Sequence, residues 1–165
     1  MSTVAVTAAN VRAALDAVRD PEIPILTIAD LGILRDVRIV DGRVHVVITP
    51  TYSGCPAMHA IEDDVRSALA AAGHDDVVVE TRLAPAWTTA WLTPAARRKL
   101  LEVGIAPPLE ATGDKNVLRL HGAAIACPRC RSCDTEQVSE FGSTACKALY
   151  RCRACLEPFD YFKCL

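Results

Sequence analysis

Four cysteines near the C-terminus form two C-x2-C pairs. Cys127 and Cys130 are followed, after 21 intervening residues, by Cys152 and Cys155. A C-x2-C turn holds two thiolates close enough to bind one metal ion, and a second turn completes a tetrahedral four-sulfur site. The separation slightly exceeds the roughly 15–20 residues usual for such ribbons, a difference that a loop absorbs at little entropic cost. The pattern predicts a zinc-ribbon-like metal site; a disulfide scaffold is the alternative.

Cys55 is the second candidate for chemistry, because it lies beside the predicted start of a helix. Pro56 suits the first helical position, and Gly54 permits a sharp turn. Backbone N–H groups and the helix dipole there stabilise a thiolate, which could attack an electrophile, bind a soft metal or carry sulfur. Alternatively, Cys55 packs as a small apolar residue. His59, one helical turn further on, is the local candidate for a base, although its position is more typical of a solvated residue.

Three further cysteines exceed the needs of a four-ligand site, and taken singly each is expected to be a buried or incidental thiol: Cys133, Cys146 and Cys164. Cys133 extends the first pair to C-x2-C-x2-C, similar to the start of a bacterial ferredoxin motif. Gln137 stands where that motif would continue with a fourth cysteine. Another cysteine could still complete a cluster, so an iron–sulfur site remains an alternative to zinc.

Composition and charge narrow the range of functions. The 165 residues are 51% hydrophobic and 23% charged, which is typical of a folded soluble protein. The net charge is −2, and residues 126–165 hold six Lys/Arg and five Asp/Glu, so the basic face of a nucleic-acid-binding ribbon is not expected. The first ten residues lack a signal-peptide pattern, and no apolar run approaches a membrane span. We therefore predict a cytoplasmic protein that binds neither nucleic acid nor a membrane.

The segments around Cys55 follow the order helix, hairpin, helix, strand. Thr7 is predicted to cap the first helix, and Asp41-Gly42 to join two alternating strands. The second helix is predicted to run from Pro56 to Gly73 and the third strand from Val77 to Leu83. Asp20 is expected to cap the turn after it. This order predicts an α+β fold, with helices on one face of a small mixed sheet.

Composition also predicts the domain boundaries. A short helix capped by Thr93 is predicted to close the first domain, which spans residues 1–104. Residues 105–116 contain Pro107-Pro108 and Gly113 and are predicted to form a linker. Residues 117–165 are predicted to form the zinc-ribbon-like domain.

Short motifs in the first domain carry a family resemblance. Asp20-Pro21-Glu22-Ile23-Pro24, Asp30-Leu31-Gly32 and Gly54-Cys55-Pro56 resemble the iron–sulfur cluster assembly family. The resemblance covers residues 4–104. It implies that Cys55 is the family's reactive thiol, which handles iron or a cluster on its way to a client protein.

A more particular resemblance lies in the ribbon. The run from Phe141 to Cys152, with Pro158 to Cys164, is similar to the D proteins of the phenylacetyl-CoA epoxidase system, and the similarity extends over essentially the whole chain. It implies an accessory protein, not the catalyst, whose partners are the other proteins of the complex and which assists maturation of a metal centre. It also implies that the two C-x2-C pairs hold the ribbon metal. Cys133 departs from this family, which usually has a small non-cysteine residue there.

The sequence is also compatible with two alternatives. The chain could be a structural or electron-transfer subunit of the oxygenase that uses an iron–sulfur or rubredoxin-like iron site in its C-terminal region. Symmetric pairing of two chains through the small sheet, giving a homodimer, is also compatible with the pattern.

Overall fold

A computed structural model of the chain describes residues 7–109 and 124–163. Its helices and strands are, in chain order, α1 (Ala8–Leu15), β1 (Leu34–Val40), β2 (Arg43–Ile48), α2 (Ala57–Ala71), β3 (Val77–Thr81), α3 (Pro94–Glu102), β4 (Ile105–Ala106), β5 (Thr135–Ser139), β6 (Lys147–Cys152) and β7 (Pro158–Phe162). A 3-10 turn, Thr89–Trp91, precedes α3. None of the helices in the described ranges is long and apolar enough to cross a membrane. The chain divides into two compact units, Met1–Trp87 and Thr88–Leu165.

The first unit contains a three-stranded mixed sheet in the order β1-β2-β3. Strands β1 and β2 form the predicted antiparallel hairpin, and β3 pairs in parallel with β2. The turn residues Asp41 and Gly42 have φ values of 51° and 79°. Two consecutive left-handed residues match the twist of the flanking strands, and Asp-Gly tolerates them well. The hairpin prediction is therefore confirmed, together with its physical reason.

Two helices cover this sheet. The Thr7 side chain accepts a hydrogen bond from the Asn10 N–H at 3.2 Å and caps α1, as predicted. Helix α1 packs against β1 and α2, and α2 packs against β3. On α2, Ile61, Val65 and Leu69 are fully buried, and each such side chain contributes about 1.5–3 kcal/mol by leaving water. The α+β prediction for this region is confirmed.

Two buried carboxylates shape the loop between α1 and β1. Asp20 accepts hydrogen bonds at 2.9 and 2.8 Å from the backbone N–H groups two and three residues further on. Asp30 accepts one from the Thr27 N–H at 3.1 Å. The Trp87 indole donates to the Leu31 carbonyl at 2.8 Å and fastens the end of this loop. These contacts confirm the capping role predicted for Asp20.

The second unit contains a four-stranded sheet in the order β4-β7-β6-β5. Strand β6 is antiparallel to both β5 and β7, and β4 pairs in parallel with β7. Its small core consists of Ala106, Ile125, Cys127, Ala148, Cys152, Phe159 and Tyr161. The Tyr150 ring stacks on Phe159 with centroids 5.9 Å apart. Two of the core residues are predicted metal ligands, so the packing of this core and the predicted metal site share the same side chains.

The division between the units differs from the predicted one. The prediction ended the first domain at residue 104, whereas α3 falls in the second unit. Ile105–Ala106, predicted as linker, is strand β4 and pairs with Asp160 and Tyr161. Arg97 on α3 also donates to the Pro108 carbonyl at 2.6 Å. Residues 110–116 of the predicted linker and residues 117–123 of the predicted ribbon lie outside the described residues.

Candidate functional site

The four cysteines predicted to bind metal converge on one point of the second unit. All four sulfur atoms lie within 4.8 Å of one another; they belong to Cys127, Cys130, Cys152 and Cys155. The Sγ atoms of Cys130 and Cys152 are 3.5 Å apart, and those of Cys127 and Cys155 are 3.7 Å apart. A tetrahedral ion with metal–sulfur distances of about 2.3 Å has sulfur–sulfur edges of about 3.8 Å. Four sulfurs at these separations fit one tetrahedral metal ion.

The two C-x2-C turns share one backbone design. The N–H groups of Cys127 and Cys152 each donate to the carbonyl five positions further on, at 2.9 and 3.0 Å. The fourth residue after each of these cysteines is left-handed: Arg131 has a φ of 63° and Leu156 a φ of 65°. Non-glycine residues adopt this conformation uncommonly. Its recurrence at equivalent positions indicates that the turns are matching halves of one site.

The electrostatics of the four thiols favour a cation between them. The Cys155 N–H lies 3.5 Å from the Cys152 sulfur, and this contact is the main reason that the pKa of Cys152 falls to about 7. For Cys155 the Glu157 N–H lowers the pKa, but desolvation and the neighbouring sulfurs outweigh it and raise the value to about 12. Thiols this close cannot all ionise unless a positive charge compensates. A thiophilic divalent ion supplies that charge, so the donor set fits such an ion.

Two of the three cysteines predicted as additional thiols, Cys133 and Cys146, do not join this group. Cys133 is exposed and lies outside the four-sulfur cluster. Cys146 is buried, and its sulfur lies 3.0 Å from the Thr144 hydroxyl. Cys164 lies outside the described residues. Within the described ranges, the C-x2-C-x2-C run is therefore not a continuous ligand set.

Cys55 lies in the first unit, two residues before α2, and is half-buried. Gly54 has a φ of 86° and turns the chain into the helix. The Cys55 N–H donates to the Tyr52 carbonyl, and the Cys55 carbonyl accepts from the Met58 N–H, both at 3.3 Å. Cys55 is thus fixed beside the helix N-terminus, as predicted. His59 is exposed on α2.

The environment of the Cys55 thiol differs from the expectation of a stabilised thiolate. Burial is the largest influence and raises the pKa of the thiol. The Ala57 N–H and the Tyr52 hydroxyl lower the pKa by hydrogen bonding to the sulfur, whereas the negative charges of Glu22 and Asp20 raise it. The helix N-terminus therefore acts in the expected direction, but desolvation outweighs it. Near neutral pH the Cys55 thiol is held protonated.

Comparison with known proteins places both parts of the chain in named families. Residues 8–81 match the family model "Iron-sulfur cluster assembly protein", and residues 111–163 match the "PaaD zinc beta ribbon domain". Over 153 residues the chain is 49% identical to the D component of a "Putative 1,2-phenylacetyl-CoA epoxidase" from Escherichia coli (strain K12). The alignment covers 93% of this chain and 90% of the relative. The chain belongs to the epoxidase D-protein family. Both resemblances predicted from the motifs are confirmed.

Other similar proteins match about half of this D-protein family member. Over 83 residues it is 36% identical to "Fe-S protein maturation auxiliary factor YitW" of Bacillus subtilis (strain 168), with 50% of this chain and 78% of the relative covered. A solved structure of a "Domain of Unknown Function DUF59" from Bacillus anthracis matches with a TM-score of 0.53 and 27% identity. That match covers 56% of this chain and 90% of the other. The match to the zinc ribbon family and the four-cysteine cluster together indicate that the chain binds metal.

Proposed function

We propose that this protein is an accessory component of the phenylacetyl-CoA epoxidase system of phenylacetate catabolism, and that it assists maturation of an iron or iron–sulfur centre in another protein of that system. The observation that carries the proposal is the 49% identity to an epoxidase D protein over 93% of the chain. The match of residues 8–81 to iron–sulfur cluster assembly proteins supports the maturation role. Its partners are the other proteins of the epoxidase.

Cys55 is the proposed transfer thiol. It is the only cysteine before residue 127, so a metal ion bound there gains a single sulfur ligand from the first unit. Residue Cys55 is half-buried, so part of its surface is exposed to solvent. Iron as cargo displaces the thiol proton on arrival and leaves when a proton or a better ligand replaces it. Weak, reversible binding of this kind suits a carrier.

We propose zinc for the four-cysteine site. Four sulfur ligands complete the coordination sphere of a tetrahedral ion and leave no open position for substrate. Such a site stabilises a ribbon whose core is too small to fold alone. Iron held by the same four sulfurs would instead give an electron-transfer subunit, and it would colour the protein.

The maturation role is tested by Cys55→Ala in cells that produce the complete epoxidase. We expect the variant to keep its fold and its ribbon metal, while the iron content of the purified oxygenase subunits falls several-fold. Cys133→Ala is the matched control, because Cys133 is an exposed thiol outside the four-sulfur cluster. Unchanged client iron in the Cys55 variant would refute the maturation role.

The same preparations test the ribbon metal. Elemental analysis of anaerobically isolated wild-type protein should give one zinc per chain, and the protein should not absorb visible light. A coloured protein with stoichiometric iron would replace the zinc assignment with the electron-transfer alternative.

A further inference from the structure

We propose that Glu136 and Glu157 are positioning residues for the four-cysteine site, and that they slow the loss of metal from it. Each carboxylate binds the arginine inside one C-x2-C turn and belongs to the segment that follows the other turn. The inference rests on the proposed metal site and adds the side chains that hold its two turns together.

Arg153 lies inside the second turn, between Cys152 and Cys155. Its Nε and Nη2 atoms donate to one Glu136 carboxylate oxygen at 3.2 and 2.9 Å. Its Nη1 atom lies 3.8 Å from an Asp134 carboxylate oxygen, and its backbone N–H donates to the Asp134 carbonyl at 2.8 Å. Asp134 and Glu136 follow the first turn in the chain. The second turn is therefore fastened to that segment through both backbone and side chain.

The register of the sheet places Glu136 for this role. Glu136 on β5 is the cross-strand partner of Arg151 on β6, and Arg151 donates to its other carboxylate oxygen at 2.8 Å. Arg153 is two residues beyond Arg151, which makes it the diagonal neighbour of Glu136 and within reach of a long side chain. One carboxylate thus connects the last pairs of the β5–β6 ladder to the metal-binding turn.

The first turn has the reciprocal contact. Arg129 lies between Cys127 and Cys130 and donates to a Glu157 carboxylate oxygen at 3.1 Å. The Glu157 carbonyl accepts from the Cys152 N–H at 3.0 Å, so Glu157 is itself fixed to the second turn. The four clustered sulfurs come from both turns. The site therefore opens only when the turns separate, and both arginine–carboxylate contacts oppose that movement.

The two contacts differ in strength. Exposed ion pairs contribute little one at a time, whereas carboxylates that bind several guanidinium N–H groups contribute more. The Glu136 side chain is 31% exposed and binds two arginines, and the Glu157 side chain is 44% exposed and binds one. Glu136 should therefore have the larger effect on metal retention. Because both contacts are accessible to solvent, salt should weaken both of them.

Glu136→Gln removes the charge and keeps the shape of the side chain. The intact zinc-loaded protein is mixed with an excess of a chromophoric chelator, and the rate of zinc transfer is measured at roughly 0.1 M and 1 M NaCl. We expect transfer at the lower salt to be about fivefold faster than in wild type, and about twofold faster for Glu157→Gln. Both ratios should fall toward one at the higher salt, where the Debye length is about 3 Å.

Glu80→Gln is the matched control, because Glu80 accepts from Arg82 at 2.7 and 3.0 Å in an exposed pair of the first unit. This variant should transfer zinc at the wild-type rate. Equal rates for Glu136→Gln and wild type would overturn the inference and leave the metal site standing. A faster rate that does not depend on salt would also overturn it, because a packing defect produces that result. Wild-type protein that contains no metal would instead refute the metal site on which the inference rests.

Discussion

The two sulfur sites of this protein are built in opposite ways. In the second unit, four sulfurs lie within 4.8 Å of one another, and two of them, Cys127 and Cys152, belong to the core of the ribbon. In the first unit, Cys55 is the single cysteine between residues 1 and 126. It lies half-buried beside α2, a helix that packs against the sheet through its apolar side chains.

In the proposed function, the number of sulfur ligands separates a structural metal ion from a transferable one. Four ligands from two rigid turns chelate one ion, and the free energy of binding becomes free energy of folding. One thiol offers little chelation, so an ion there adds little to the stability of the first unit and can leave. A chain with both arrangements can keep one metal while it passes on another.

Cys152→Ser should produce the largest effect. Cys152 is fully buried in the ribbon core, and a serine hydroxyl is a poor ligand for a soft metal. Because structural zinc sites contribute about 10–16 kcal/mol of apparent binding free energy, we expect loss of the metal and of the ribbon fold while the first unit stays folded. Elemental analysis and two-dimensional amide NMR spectra measure both. Cys133→Ser should keep its metal. A Cys152 variant that retains one metal per chain would contradict the claim that the ribbon depends on all four sulfur ligands.

Leu69→Ala tests whether the first unit is stabilised by its apolar core independently of the metal site in the second unit. Leu69 is fully buried on α2, so its truncation should lower the free energy of unfolding of the first unit by about 2–5 kcal/mol. The metal content should stay at the wild-type value. Urea unfolding with metal analysis of the same samples measures both quantities. Leu101→Ala is the control, because Leu101 is 46% exposed and its loss should cost at most about 0.5 kcal/mol. Metal loss in the Leu69 variant would show that the two regions are not independent.

The pH dependence of metal affinity gives the finest test. Hydrogen bonds from neighbouring N–H groups lower the pKa of Cys130 and of Cys155, but the adjacent sulfurs and desolvation outweigh them and raise both values. Both thiols are therefore protonated near neutral pH without metal and lose their protons when it binds. Displacing at least these two protons makes the apparent affinity rise at least about 100-fold per pH unit. Competition with a chromophoric chelator at pH 7 and pH 8 measures this slope. A flat response would mean that the thiols ionise without a cation.

Much of the fold is predictable because it depends on local sequence. Asp41-Gly42 forms the hairpin turn because both residues tolerate the left-handed conformation. The Thr93 hydroxyl accepts from the Ala96 N–H at 3.0 Å and starts α3, as its position before Pro94 predicts. The four clustered sulfurs follow from the C-x2-C spacing, since each turn fixes two of them.

The remainder depends on contacts that local patterns do not contain. Strand β4 has two residues and no periodicity, and its partners, Asp160 and Tyr161, are about 55 positions away. The raised pKa of Cys55 arises first from burial and also from the charge of Asp20, 35 residues earlier in the chain. The position of Cys55 beside the start of a helix reveals neither its burial nor the charge of Asp20.

Strand β4 limits the positions at which the chain can be truncated or fused to a relative without disrupting the second sheet. A ribbon excised from residue 111 onward leaves Ile105–Ala106 behind and exposes the edge of β7 that β4 covers. A bare sheet edge is a template for association between chains, so such a fragment is prone to aggregate. Chimeras that exchange ribbons between relatives should be spliced between Trp87 and Thr88, where the chain passes from one compact unit to the other.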